Sequence, residues 1–117
     1  MLRFARGRFG RFFVRWVFAH SWILRWLSVE VLRETEHVVA MRHPRPSYGV
    51  HILLVPKRPF ATLLDVPEGD PFTADMLLVA QSLIQELGLD KEGGYRLVSN
   101  GGDYQDVPHL HFHLIAS

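Results

Sequence analysis

Histidine and apolar positions alternate with a period of two close to the end of the chain, over residues 109–115. Such alternation is typical of a β-strand with two different faces. One face would carry three imidazoles about 7 Å apart, because each strand residue advances roughly 3.3 Å: His109, His111 and His113. The apolar positions between them would face a core: Leu110, Phe112 and Leu114. The pattern therefore predicts a wall of histidines beside a cleft.

Three further strands are predicted upstream, over residues 34–41, 48–55 and 95–99. Prolines within residues 42–47 remove backbone donors and disfavour helix, so this segment is a predicted loop. The strand over 48–55 is apolar except for its histidine, His51. Because a buried polar side chain needs a hydrogen-bond partner, we expect His51 to be either a structural group or part of a site.

A helix is predicted after Asp70, whose carboxylate can accept hydrogen bonds from the first helical N–H groups. Pro71 suits the first turn, and Gly88 suits a left-handed residue at the C-terminal end. Apolar residues between these points recur at spacings of three and four: Phe72, Met76, Ala80, Leu83 and Leu87. This spacing places them on one helix face that can pack against the strands.

The predicted order is helix, strand, strand, helix, strand, strand, with the first helix inside residues 1–29. Short connections between the paired strands favour antiparallel neighbours. We therefore predict an α+β fold, in which an antiparallel meander sheet carries a packed helix and an amphipathic helical segment precedes it. A length of 117 residues fits one core, so the expected division is a segment over 1–29 and a domain over 30–117.

Charge is unevenly distributed, because residues 1–29 contain six arginines and no acid, whereas the remainder carries a net charge of −5. Eight of the fourteen aromatic residues also lie in the first 27 positions. An amphipathic helix of this kind could pack on the domain or on a second subunit, or it could contact a membrane surface. Nucleic-acid binding is the least favoured alternative.

The longest uncharged run in this segment, residues 16–24, is far shorter than the ~20 residues that a spanning helix needs. The segment also lacks the small-residue cleavage site of a signal peptide. The chain has no cysteine, which excludes disulfides, thiolate metal sites and a cysteine nucleophile. We expect a cytoplasmic location, with peripheral contact at the inner face of the membrane as an additional option.

Several imidazoles on one strand face would disfavour one another's protonation, which keeps a nucleophilic histidine neutral. Backbone amides around Gly101 and Gly102 could attract an anion. This chemistry suits phosphoryl or nucleotidyl transfer through a phospho-histidine. Two alternatives stay open: a metal site built on His51, His111 and His113, or a purely structural group of solvent-facing histidines.

Residues 109–115 match the motif His-φ-His-φ-His-φ-φ, where φ is apolar, and the chain resembles the histidine triad (HIT) family of nucleotide-binding hydrolases and transferases. Residues 51–58 resemble the family's histidine-bearing strand that ends in Pro-Lys. Residues 94–100 resemble the strand before the phosphate loop, and residues 105–109 resemble the approach to the triad. The resemblance covers residues 30–117.

The resemblance implies a role for each histidine of the cluster. His111 would be the nucleophile toward an α-phosphorus, and the backbone carbonyl of His109 would fix the tautomer of His111. His113 would hydrogen-bond the phosphate or the leaving group, and His51 would complete the cluster. Six further residues are predicted to bind the nucleotide or its phosphate: Asn100, Gly101, Gly102, Gln105, Asp106 and His43.

The resemblance also implies a reaction and a set of partners. The expected reaction is hydrolysis of a phosphoramidate, phosphoester or phosphoanhydride at the α-phosphate of a purine nucleotide or other nucleoside monophosphate derivative. The family implies a homodimer, and it implies no metal or other cofactor. Asn100 and Gln105 would contact phosphate or position their loop.

Two positions depart from the family pattern. Asp106 stands where close relatives carry a serine that helps to protonate the leaving group, so it is either a proton donor or a sign of a different substrate preference. His43 stands where many relatives carry an acid for the ribose hydroxyls, so the usual ribose recognition is not expected. The alternative function is a non-catalytic nucleotide-binding module that residues 1–29 recruit to a membrane.

Overall fold

The computed structural model describes residues 30–91 and 93–117, and the expectations for residues 1–29 lie outside this part of the chain. Its strands and its long helix follow in this order: β1 Val31–Glu34, β2 Val38–Arg42, β3 Val50–Pro56, α1 Pro71–Leu87, β4 Arg96–Ser99 and β5 Phe112–Ala116. Two short 3₁₀ helices, Leu63–Asp65 and Gly102–Tyr104, lie in the loops.

All neighbouring strands of the sheet are antiparallel, and the strand order is β1-β2-β3-β5-β4. The helix α1 packs against β2 and β3. The predicted α+β fold, with a helix on an antiparallel sheet, is therefore confirmed. The last strand lies between β3 and β4, which pairs His51 with Ile115 and His113 with Leu53.

The helix α1 begins and ends where the sequence predicts. Asp70 caps its N-terminus, because the carboxylate accepts the Phe72 N–H at 3.0 Å. Gly88 follows its C-terminus with a φ of 65°, a left-handed conformation that glycine adopts without steric cost. The buried face of the helix holds Phe72, Met76, Val79, Ala80 and Leu83. Over residues 30–91 and 93–117, no helix has the length and apolar character needed to cross a bilayer.

Alternate residues of β3 and β5 divide the sheet into a core face and a histidine face. Ile52, Leu54 and Leu114 are buried in the main hydrophobic core with α1. Complete burial of one such side chain contributes roughly 1.5–3 kcal/mol. Because neighbouring strand residues point to opposite faces, His51 and His113 lie on the face away from α1. The core thus holds in place the two strands that carry these imidazoles.

The predicted strand over residues 34–41 is correct for residues 38–41, which lie in β2, but a turn over residues 35–37 separates them from β1. The Thr35 hydroxyl oxygen accepts the N–H groups of His37 and Val38, at 3.2 and 3.0 Å. The Thr35 N–H also donates to the Val38 carbonyl at 2.9 Å. A threonine can satisfy a turn in this way, so the chain reverses within a run that looks continuously strand-like.

The predicted histidine strand becomes regular only at Phe112. Just before it, the His109 N–H donates to the Val107 carbonyl at 2.7 Å, and the Leu110 N–H donates to the Phe60 carbonyl at 2.8 Å. Because these N–H groups bond to carbonyls in loops, the segment is itself a loop and does not take part in strand pairing. His109 and His111 therefore lie outside β5, and the expected even spacing of three histidines along one strand does not form.

Candidate active site

His111 has the hydrogen bond that defines the chemistry of the site. Its Nδ1 lies 2.8 Å from the backbone carbonyl oxygen of His109. Because a carbonyl oxygen can only accept, Nδ1 carries the proton and Nε2 of the neutral ring carries the lone pair. The residue is only 6% exposed, so the ring is held in one orientation. The site therefore contains an imidazole whose unprotonated nitrogen is fixed by the backbone.

His109 supports this geometry from a buried position. Its Nε2 donates to the Pro56 carbonyl at 3.3 Å, which ties the segment before β5 to the end of β3. On the other side, the Ser99 hydroxyl of β4 donates to the His111 carbonyl at 3.4 Å. The backbone around His111 is thus held from both neighbouring strands.

A second hydrogen-bonded pair of histidines joins β3 to β5. The Ser47 N–H donates to His51 Nδ1 at 3.1 Å, so the proton of neutral His51 lies on Nε2. This Nε2 lies 2.9 Å from His113 Nδ1, which must then accept. His113 consequently carries its own proton on Nε2, where it can donate to a ligand. The ring centroids of His111 and His113 are 5.1 Å apart, so His111 and this donor are neighbours.

Burial keeps this histidine pair neutral. The pKa of His113 is lowered from 6.5 to about 4, chiefly by burial and further by the nearby His111 and His51. The Asp106 carboxylate acts on the pKa of His113 in the opposite direction. Burial also lowers the pKa of His51. The proton positions inferred from the hydrogen bonds therefore describe the site at neutral pH.

His43 lies beside this pair, on the loop after β2. Its ring centroid is 4.3 Å from that of His51 and 6.4 Å from that of His113. The Arg45 N–H donates to His43 Nδ1 at 3.0 Å, which leaves the proton of the neutral ring on Nε2. The structure thus brings His43 into the same cluster as the strand histidines.

The loop between β4 and β5 approaches the cluster through Asp106, whose charge acts on His113. Three other predicted phosphate-binding residues are exposed, and none of them hydrogen-bonds to a histidine of the described chain: Asn100, Gly101 and Gly102. Gln105 Nε2 donates to the carbonyls of Ala61 and Val107, at 2.7 and 3.1 Å. In this arrangement Gln105 links its loop to the segment after β3.

Tyr48 is a neighbour of the cluster that the sequence reasoning did not identify. Its ring meets the His51 ring edge-on, with 5.4 Å between centroids and 72° between planes. The backbone groups of Ser47 and Pro56 that bond the histidines were also missed. Only the short separation of Tyr48 from His51 along the chain could have suggested the ring contact. The backbone partners leave no signal in residue type.

The metal alternative requires several histidine nitrogens to face one point. Over residues 30–91 and 93–117, no group of three or more histidine or carboxylate side chains is arranged to hold a metal ion. His51 Nε2 and His113 Nδ1 point at each other across 2.9 Å. These two nitrogens are therefore directed into a hydrogen bond and not toward a shared metal position.

Comparison with known proteins identifies relatives over most of the chain. The family model described as the HIT domain matches residues 27–117. An uncharacterized HIT-like protein of Synechococcus elongatus is 35% identical over 96 residues, covering 80% of this chain and 82% of that protein. The adenosine 5′-monophosphoramidase of Saccharomyces cerevisiae is 36% identical over 86 residues, covering 72% of this chain and 51% of that protein. The crystal structure of a HIT family hydrolase from Legionella pneumophila is 34% identical with a TM-score of 0.71, covering 88% of this chain and 90% of that chain.

Proposed function

Because this chain belongs to the histidine triad (HIT) family, we propose that it is a nucleotide hydrolase acting at the α-phosphate of a purine nucleotide or other nucleoside monophosphate derivative. The bond cleaved would be a phosphoramidate, phosphoester or phosphoanhydride. The name of the yeast relative, adenosine 5′-monophosphoramidase, supports a phosphoramidate as the first substrate to test.

The observation that carries this proposal is the 2.8 Å contact between His111 Nδ1 and the His109 carbonyl. It places the lone pair of His111 on Nε2, and a nucleophilic imidazole needs an unprotonated nitrogen toward the substrate. His113, with its ring centroid 5.1 Å away, offers an Nε2–H to a phosphoryl oxygen. Such a donor stabilises the negative charge that develops during attack.

The proposed reaction has two steps. First, His111 Nε2 attacks the α-phosphorus, and the bond from phosphorus to the leaving group breaks. The leaving group departs with the electron pair and takes up a proton, either from solvent or from the Asp106 carboxyl group. Second, water attacks the phosphorus, the bond to His111 breaks and the nucleoside monophosphate leaves. The proton lost by the water passes to solvent, or to Asp106 where that group has protonated the leaving group, and His111 regains its lone pair.

Hydrolysis of adenosine 5′-phosphoramidate by the wild-type protein and by His111→Ala tests this mechanism. We expect the variant to lose about 10³-fold or more in kcat, because the nucleophile carries the chemistry. Rapid quenching of the wild-type reaction should also trap an adenylylated peptide that contains His111. His37→Ala, in the turn between β1 and β2, is the matched control. Equal rates for wild type and His111→Ala would rule out the covalent mechanism.

We further propose that the protein is a homodimer. Leu77 and Leu78 on α1 are 46% and 60% exposed, and adjacent exposed leucines favour contact with another protein surface. Light scattering coupled to size-exclusion chromatography would measure the mass in solution. The mass of a single chain at all concentrations would reject the homodimer.

For residues 1–29 we propose peripheral contact with the inner face of the cytoplasmic membrane. Support comes from six arginines without an acid, together with aromatic residues suited to the headgroup layer. Co-sedimentation with anionic vesicles should be stronger for the full chain than for a chain that begins at residue 30. Equal sedimentation of the two would reject the contact and leave the cytoplasmic location to be tested separately.

A further inference from the structure

A cleft of about 190 Å³ lies beside the histidine cluster, where β4 begins and β5 ends. Its lining includes Tyr48, Tyr95, Arg96, Ile115 and Ser117. The glycine pair Gly93 and Gly94 supplies backbone without side chains at its rim. Neither the family comparison nor the proposed reaction assigns a role to this cleft.

Strand pairing places the cleft on the same face of the sheet as the histidines. His51 of β3 and Arg96 of β4 both pair with Ile115 of β5, so the three side chains form one row across the sheet. The next row contains His113 between Leu53 and Val98. Because residues two apart in a strand share a face, the cleft begins one row beyond His113.

Arg96 is the positively charged side chain among the residues that line the cleft. The residue is exposed, and no carboxylate of the described residues, including that of Ser117, lies within 4.0 Å of its guanidinium. Three other described arginines differ, since Arg33 pairs with Glu86, Arg42 pairs with Glu30 and Arg58 pairs with Asp70. A guanidinium that meets no carboxylate among residues 30–91 and 93–117, at the edge of a cleft, suits a planar anionic group.

Tyr48 and Tyr95 determine what else the cleft can hold. The two residues are 47% and 46% exposed, so each offers part of its ring to a ligand. Tyr48 also touches the edge of the His51 ring, with 5.4 Å between centroids, which makes the cleft continuous with the cluster. The two tyrosines, together with the apolar side chain of Ile115, favour a flat ring as the group that lies between them.

We propose that this cleft binds the leaving-group portion of the substrate, and that this portion is an aromatic ring bearing a carboxylate or another anionic group. The inference rests on the proposed hydrolase function. With the α-phosphorus at His111 and a donor at His113, the substrate continues over Ile115. The ring lies between Tyr48 and Tyr95, and its anionic group meets Arg96.

Two adenosine 5′-phosphoramidates with aniline leaving groups test the inference. One carries a 4-carboxylate on the ring, and the other carries the neutral 4-carboxamide of the same shape. The measured quantity is the ratio of kcat/KM for the carboxylate over the carboxamide. For the wild type we expect about tenfold or more, because a hydrogen bond to a charged partner discriminates at that level.

The variant Arg96→Gln should lower this ratio to near one. Arg33→Gln removes the same charge from a position that pairs with Glu86 on α1, so it should leave the ratio as in the wild type. Comparison of one substrate pair across variants cancels the different reactivity of the two anilines. A wild-type ratio near one, or an unchanged ratio in Arg96→Gln, would overturn the assignment of the cleft.

If neither substrate is hydrolysed, the proposed function fails, and binding alone then tests the cleft. Titration with 4-aminobenzoate, followed by NMR, should shift the amide signals of Tyr95 and Arg96. The affinity derived from these shifts should fall at least several-fold in Arg96→Gln and should stay unchanged in Arg33→Gln. If these signals do not move in the wild type, the cleft does not bind aromatic anions.

Discussion

His51 Nε2 and His113 Nδ1 lie 2.9 Å apart, and this contact determines which nitrogen of His113 carries the proton and can donate it to a ligand. The Ser47 N–H donates to His51 Nδ1, which places the His51 proton on Nε2. The position of the His113 proton then follows from the contact between the two rings. Two residues separated by most of the domain therefore act as one unit. His51 is a positioning residue in this arrangement, because it acts through His113.

Replacing His51 should disturb the tautomer of His113 before it disturbs the fold. In His51→Leu the donor to His113 Nδ1 is lost, so the His113 proton can move to Nδ1. We expect kcat to fall by about tenfold to a hundredfold, since loss of a buried partner costs roughly 1–3 kcal/mol. The ¹⁵N chemical shifts of the His113 ring would report the tautomer directly.

His51→Gln provides the control for that experiment, because its amide can still donate toward His113. It should recover part of the lost kcat and retain the original tautomer. A His113 ring that keeps its proton on Nε2 in His51→Leu would show that the pair does not set the tautomer.

The lowered pKa of His113 predicts a loss of stability on acidification. A histidine of the unfolded chain titrates near 6.5, whereas folded His113 titrates at about 4. Between these values the unfolded state binds more protons, so the free energy of unfolding falls as the pH decreases. Because His113 is partly exposed, solvent screening reduces the expected contribution to about 1–2 kcal/mol.

Urea unfolding at pH 7 and at pH 4.5 measures this contribution. In His113→Asn the difference in unfolding free energy between the two pH values should shrink by the amount assigned to His113. The lowered pKa of His51 acts in the same direction, so part of the dependence should persist. An identical pH dependence in wild type and His113→Asn would contradict the lowered pKa.

The helix α1 could be predicted from the sequence because its signals are local. Asp70 and Gly88 act on backbone groups within one turn of their own positions, and the spacing of apolar residues reports the buried face. The turn at Thr35 is also local, yet it interrupts a run whose pattern is strand-like on both sides. Side-chain hydrogen bonds made by one threonine outweighed the apparent periodicity there.

The candidate site could be predicted as a set of residues but not as a geometry. Three histidines in alternation and a fourth in an apolar strand indicate imidazoles that gather on one sheet face. Their proton positions depend on backbone groups of Ser47 and Pro56, which have no residue-specific signal. The place of Arg96 beside the cluster follows from β5 lying between β3 and β4, a long-range pairing that no local pattern encodes.

Asp106 should influence both His113 and the substrate through its charge. Removing the carboxylate in Asp106→Asn should lower the pKa of His113 further, because the carboxylate acts to raise it. The same change removes repulsion of an anionic substrate, so KM should fall by about threefold to tenfold. NMR titration of His113 and steady-state kinetics measure the two effects.

Asp103→Asn is the matched control for that change, since Asp103 is an exposed acid in the same loop, within the 3₁₀ helix Gly102–Tyr104. It should leave the pKa of His113 almost unchanged. If Asp106→Asn lowers kcat strongly and leaves KM unchanged, Asp106 acts as the proton donor to the leaving group and not as a charge that tunes binding.

The side chain of Gln105 should matter for the position of its loop. Its amide nitrogen donates to Ala61 and Val107, and the carboxylate of Gln105→Glu cannot make either bond. We expect the free energy of unfolding to fall by about 1–2 kcal/mol. We also expect kcat to fall, because Val107 lies two residues before His109, whose carbonyl orients the His111 ring. Gln85→Glu, on the exposed side of α1, makes the same chemical change away from the site.

A large rise in KM with unchanged stability would instead show that Gln105 contacts the phosphate, since loss of a ligand contact weakens binding without loosening the loop.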